Sequence, residues 1–196
     1  PSLAVKKTPL EIVASLERRR LLTASTAYLH RLALVRWGEQ LGHPPRLRDY
    51  GDDQVAEFGA ARLRSGRSRA TVRGEQCKLL AQWRHAHTLG WLRVGPTIQP
   101  VAAPPRLPTA WDRDQLAAIF RQARKRTDAE WWVALLSVLW DTGARVGEAT
   151  AVEWGDLDLR RCWIVFRAET TKTHVDRMAA ISRETADALA ALARNL

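Results

Sequence analysis

The sequence predicts a mainly α protein with a small antiparallel β-sheet, divided into two domains. Helical apolar periodicity fills residues 8–89 with only short breaks between segments. Five of the nine prolines then crowd into Val94–Pro108, and the β-branched, aromatic run Trp163–Phe166 is followed by a second short strand-like run at 177–181. Residues 1–95 therefore read as a helical domain, 96–108 as an extended linker and 109–196 as a second, mixed domain.

Each element has a local reason. Thr8 and Pro9 fit the N-cap and first position of a helix to about Arg20, with Ile12, Val13 and Leu16 on one face. A second helix, about Ser25 to Leu41, is expected to bury Tyr28, Leu32, Val35 and Leu41 before Gly42–Pro45 stops it. Acidic residues open a third, Asp52 to Leu63, where they suit the N-terminal dipole. The fourth runs from Ser68 to about Leu89 with Val72, Leu79, Leu80, Trp83 and Ala86 inward. Four helices on short loops make a bundle.

In the second domain, Trp111–Lys125 forms a helix striped by Leu116, Ile119 and Phe120. Asp128–Asp141 is apolar almost all round and is expected to be a central buried helix. Gly143 fits its left-handed cap, and Arg145 starts a short helix to Val152. Strands at 162–167 and 177–181 enclose a hairpin loop, and Ser182 caps a last helix with Leu189 and Leu192 inward. The tryptophans at 131, 132, 140, 154 and 163 are expected in the core.

The charge is uneven. Seventeen basic residues face eight acidic ones in 1–95, whereas 14 face 13 in the remainder of a chain whose net charge is +10. A basic module that holds a polyanion, joined to a near-neutral module that acts on it, is the reading this favours. Lys6, Lys7, Arg62, Arg64, Arg67, Arg69 and Arg73 are the candidate phosphate contacts, supplying salt-dependent affinity and not base choice. Cys77 and Cys162 are isolated, and no metal-ligand spacing, phosphate loop or paired carboxylate cluster is present, so neither cofactor nor metal is expected. His85 and His87, two apart on a helix, read as surface residues. No apolar run is long enough for a bilayer span, and a cytoplasmic, DNA-bound protein with no membrane or small-molecule partner is expected.

Arg145, anchored at a helix start, offers a planar fork of donors for phosphate oxygens, and Glu148 one turn on can orient that fork. Lys172, at a hairpin tip, could reach a DNA groove or hand a proton to a leaving alkoxide. Arg145 and Lys172 are thus expected to converge on one phosphate, with Arg145 buried.

These residues carry a resemblance. TGARVGEATAVEWGDLDL, a strand, the TKT hairpin and a return strand resemble the first half of the catalytic domain of the tyrosine recombinases, the phage integrase family. The Arg-rich bundle and Pro-rich linker are similar to that family's SAM-like core-binding domain. The resemblance implies a truncated DNA breaking-rejoining domain in which Arg145 stabilises a pentacoordinate phosphate, Lys172 protonates the leaving 5′-hydroxyl and Glu148 supports the site. It implies site-specific recombination of double-stranded DNA by a homo-tetramer, in a bacterial or phage-encoded protein. The family's later His, Arg and Tyr nucleophile have no match here, so the chain is expected to be a fragment, inactive alone. Tyr28 and Tyr50, the only tyrosines, read as packing and turn residues. Two alternatives are an inactive DNA-binding remnant or architectural protein, and a type IB topoisomerase-like enzyme.

Overall fold

The computed structural model describes residues 7–105, 107, 109–169, 171 and 175–194. The chain separates into two compact units, residues 1–107 and 108–196.

Four helices make the first unit: α1 (Pro9–Arg18), α2 (Ala24–Leu41), α3 (Asp52–Arg64) and α4 (Arg69–Thr88). Three of them start as local chemistry dictates. The hydroxyls of Thr8, Thr23 and Ser68 accept the N–H of the residue three further on, satisfying donors that the helix itself cannot. Gly42, at φ 73°, ends α2 in the left-handed conformation that a Cβ would disfavour. The core is Ile12, Val13, Leu34, Trp37, Val55, Phe58, Leu79, Leu80 and Trp83, joined by small Ala27, Ala33 and Ala86 where helices approach closely. Burial at this scale contributes about 1.5–3 kcal/mol for each large side chain.

The buried face of α2 differs from the expected one. Tyr28 and Val35 are 63% and 57% exposed, while Ala27, His30, Leu34 and Trp37 point inward. Both stripes have helical spacing, so periodicity alone could not choose. Trp37 and the two alanines win because they supply bulk at one end and close approach at the other. His30 is tolerated inside because Gln82, which accepts the Tyr50 hydroxyl at 2.8 Å, lies 3.3 Å from His30 Nδ1.

The proline-rich segment is not a free spacer at its start. Asp52 accepts the N–H groups of Thr97 and Ile98, both at 3.1 Å, and Gln76 Oε1 accepts that of Val101 at 2.8 Å. Residues 97–101 are thereby strapped to the first unit.

The second unit runs α5 (Arg113–Ala123), α6 (Ala129–Thr142), α7 (Val146–Thr150), β1 (Leu157–Asp158), β2 (Trp163–Phe166), β3 (Arg177–Ala180) and α8 (Arg183–Arg194). The sheet is antiparallel in the order β1-β2-β3, with Val165 opposite Met178 and Phe166 opposite Arg177. Strand β1 was not expected, being only two residues long. Cys162, placed in a strand by its neighbours, has φ 61° and belongs to the turn before β2. Asp141 ties α6 to α8, accepting from the Ser182 N–H at 2.7 Å and the Thr185 hydroxyl at 2.6 Å.

Helix α6 is central but not enclosed. Only Ala134 and Val138 are buried on it, and Trp131 and Trp140 are 41% and 60% exposed. Trp154 and Trp163 are open as well, which overturns the core assignment for all four. Helices α5, α7 and α8 and strand β3 all pack against α6, yet they leave these tryptophans open.

Candidate active site

The site is built where α6 stops and α7 begins. Gly143, at φ 60° and ψ 20°, turns the chain sharply and leaves Arg145 as the N-cap of α7. Glu148 then closes a capping box, its Oε2 accepting the Arg145 backbone N–H at 3.2 Å. Its Oε1 accepts from Arg145 Nη1 at 2.7 Å. Backbone and side chain of the same arginine are thus fixed by one carboxylate.

Glu148 is buried, whereas the Arg145 side chain is 62% exposed, which corrects the expectation of a buried arginine. Most of the Arg145 side chain is thus open to solvent. An anchored base with an open fork is what anion capture requires, since a fully buried guanidinium would have no donors to offer.

A third residue completes the cluster and had no role in the sequence reading. Arg177, at the start of β3, donates Nη2 to Glu148 Oε2 at 3.1 Å and Nη1 to the Thr142 carbonyl at 3.3 Å. Its guanidinium stacks 4.4 Å from the centre of the Phe166 ring. The pair Arg177–Glu148 is 29 residues apart, beyond the reach of any local pattern. The available signal was an arginine one step into a strand opposite an aromatic residue. Together Arg145, through side chain and backbone, and then Arg177 outweigh the cost of burial and pull the Glu148 carboxyl down to about 2. It is therefore ionised at any physiological pH, and the cluster holds two positive charges against one negative.

The hairpin between β2 and β3 is present, with Thr171 Oγ1 bonded to the Ala168 and Val175 carbonyls and Asp176 accepting the Ala168 N–H at 2.6 Å. Lys172 lies outside the described residues. Its convergence with Arg145 accordingly remains an expectation.

On the first unit the seven basic candidates separate into groups. Lys6 lies outside the described residues, and Lys7 is exposed. Arg62 is mostly withdrawn from solvent, donating Nε and Nη2 to the buried Glu75 at 2.9 and 3.0 Å. Glu75 also accepts from Arg36 at 2.6 Å, so Arg62 serves the bundle interior first. Arg64 pairs with Glu57 on the surface. Arg67, Arg69 and Arg73 are exposed at the α3–α4 turn and the first two turns of α4. His85, read as a surface residue, is half-buried and lies 3.2 Å from Ser15 Oγ. Tyr50 is buried. Among the described residues no His, Cys, Asp and Glu group is arranged to hold a metal, and no helix is long and apolar enough to cross a membrane.

Residues 110–195, nearly all of the unit that carries Arg145, Glu148 and Arg177, match the model of the phage integrase family. Over those residues the second unit is similar to the phage integrase family. No curated protein matches the chain. Among solved structures, the Tn1549 transposon integrase in complex with a circular intermediate DNA is similar over 97% of this chain at TM-score 0.70 and 17% identity. A lambda integrase tetramer bound to a Holliday junction is similar over 89% at TM-score 0.67 and 18% identity. At that identity the likeness carries the fold, of the helical bundle as well as of the second unit. The chain spans 66% of the length of the Tn1549 integrase chain and 51% of the lambda integrase chain.

Proposed function

We propose that this chain serves site-specific recombination of double-stranded DNA by transient phosphotyrosine linkage. The first unit holds the duplex backbone through Lys6, Lys7, Arg64, Arg67, Arg69 and Arg73, and the second acts on one phosphodiester. The observation that carries the reading is Arg145, fixed at backbone and side chain by a buried carboxylate while its outer donors stay open.

In this mechanism a tyrosine oxygen attacks the scissile phosphorus and the 5′-oxygen leaves, giving a 3′-phosphotyrosine and a free 5′-hydroxyl. Arg145 stabilises the charge that grows on the non-bridging oxygens in the pentacoordinate state. Lys172 supplies the proton to the departing 5′-oxygen, a contribution of about 10²- to 10⁴-fold for a general acid. Attack by a 5′-hydroxyl of a second duplex on the link reverses the chemistry and exchanges strands. The bond energy is conserved in the covalent link, so the reaction needs no nucleotide. The nucleophile is assigned to neither tyrosine of this sequence: Tyr50 is buried and donates its hydroxyl to Gln82, and burial raises its pKa further. The tetrameric assembly seen for lambda integrase on a Holliday junction is the proposed working state here too.

The test uses a duplex nicked near the scissile phosphate, which traps the covalent adduct, and the recombinase that carries this chain. Lys172→Ala is expected to slow adduct formation on an ordinary substrate and to recover it on a 5′-bridging phosphorothioate, whose leaving group needs no proton. Lack of recovery assigns Lys172 to groove contact instead. Failure of the unsubstituted protein to form any adduct, with DNA binding intact, would favour an architectural role.

A further inference from the structure

Arg177 joins three elements of the second unit. From the first residue of β3 it reaches the carbonyl of Thr142, the last residue of α6, and the carboxylate of Glu148 in α7. That carbonyl belongs to the group a helix end leaves without an internal partner. The Phe166 ring beneath the guanidinium fixes its plane. Arg177 is less exposed than Arg145, at 38% against 62% for the side chains, and its known partners face inward.

The charge balance gives this arrangement a purpose. Glu148 paired with Arg145 alone would be a neutral ion pair, with little attraction for an anion. A second guanidinium on the same carboxylate leaves the cluster with one net positive charge, and it is Arg145 whose donors are open. Geometry points the same way. Oε2 accepts both the Arg145 backbone N–H and Arg177 Nη2, which leaves the carboxyl group no freedom to rotate away from Arg145.

We infer that Arg177 is a positioning residue, which neutralises and orients Glu148 so that the Arg145 guanidinium is presented, still charged, to a phosphate. This rests on the reading of Arg145 as the phosphate clamp. Arg177 itself does not touch the reacting atoms; it acts through the carboxylate. It also ties the start of the return strand, hence one end of the Lys172 hairpin, to the element that carries Arg145.

Two substitutions test it. Arg177→Met keeps an aliphatic chain over Phe166 and removes the guanidinium, while Arg177→Lys keeps the charge. The first readout is the Glu148 carboxyl titration, followed by carbon-13 NMR on the 196-residue chain. It is expected to rise from about 2 in Arg177→Met and to return toward that value in Arg177→Lys. The second is adduct formation on the nicked duplex, expected to fall at least about tenfold in Arg177→Met with DNA affinity within about twofold, and to recover in part in Arg177→Lys. An unmoved Glu148 titration, or cleavage within about twofold of wild type in Arg177→Met, overturns the inference. So does a folded Arg177→Lys that cleaves no faster than Arg177→Met, because packing and not charge would then be the cause. Should Arg177→Met fail to fold, Arg177→Gln replaces it under the same criteria. Arg145→Ala separates the two levels. If it cleaves normally, the clamp reading fails whatever Arg177 does, and if it is dead while Arg177→Met is normal, only the present inference fails.

Discussion

Tryptophan has opposite fates in the two units. Trp37 and Trp83 are sealed in the helical bundle, at 0% and 4% exposure, whereas Trp111, Trp131, Trp140, Trp154 and Trp163 all stand open in the second unit. Fourteen buried apolar residues form the first core and seven the second, among the described residues. The bundle closes because four helices face one another around a shared interior. In the second unit α5, α7, α8 and β3 pack around α6 but enclose fewer apolar side chains. Both units bury polar groups held by several partners, Glu75 and Gln82 in the first and Glu148, Asp156 and Thr185 in the second. The units differ in how completely they enclose their large apolar side chains.

The largest effect that would break this comparison is on stability. Trp37→Ala should cost about 3–5 kcal/mol in chemical denaturation of the first unit, while Trp140→Ala should change the second by less than about 0.5 kcal/mol. Equal costs at the two positions would mean that Trp140 is packed. Next comes the basic surface. Arg62→Ala should destabilise the bundle by about 1–3 kcal/mol, because the buried Glu75 loses two of its hydrogen bonds. Replacing Arg67, Arg69 and Arg73 together should leave the melting temperature unchanged and flatten the slope of log K against log salt by up to about 2.7, at about 0.9 for each phosphate contact. A slope that Arg62→Ala alone flattens as much would reverse the assignment of interior and surface arginines.

A smaller effect separates the units by acid response. Burial, with Lys78 nearby, lowers the pKa of His30, and burial, with Arg19 nearby, lowers that of His85. Both hold a proton less readily when folded than when unfolded, so the first unit should lose stability as pH falls below about 6.5. In the second unit the depressed groups are acids. Glu148 is held down to about 2, and Asp156 is lowered by the Glu153 N–H and Arg167. Their stabilisation is present above about 4.3 and 3.9 and is lost as pH falls through the folded values. Between pH 7 and 5, thermal melts should therefore show the first unit weakening and the second unchanged. Parallel weakening would sink this distinction.

What the sequence disclosed divides along the same physical line. Caps were legible at Thr8, Gly143 and Ser182 because a cap is a local matter of one residue and its near neighbours. Trp163–Phe166 read as a strand from composition alone, and Arg145 with Glu148 lie one turn apart, so their pairing was visible too. The choice between two apolar stripes on α2 was not, since it depends on which neighbouring helices supply space. Nor was the exposure of the tryptophans, which depends on how many layers cover α6. Arg177 with Glu148, and Arg62 with Glu75, are pairings across the fold that no spacing announces.

The account turns on whether an anionic phosphate sits on Arg145, and a charge-swap substrate addresses that contact directly. Arg145→Ala is compared on a normal duplex and on one whose scissile phosphate is a neutral methylphosphonate, with covalent adduct as the readout. The account predicts a loss of about 10²- to 10³-fold on the normal duplex and substantial recovery on the neutral one, where no charge needs stabilising. Normal cleavage by Arg145→Ala, or a loss of equal size on both substrates, would contradict it.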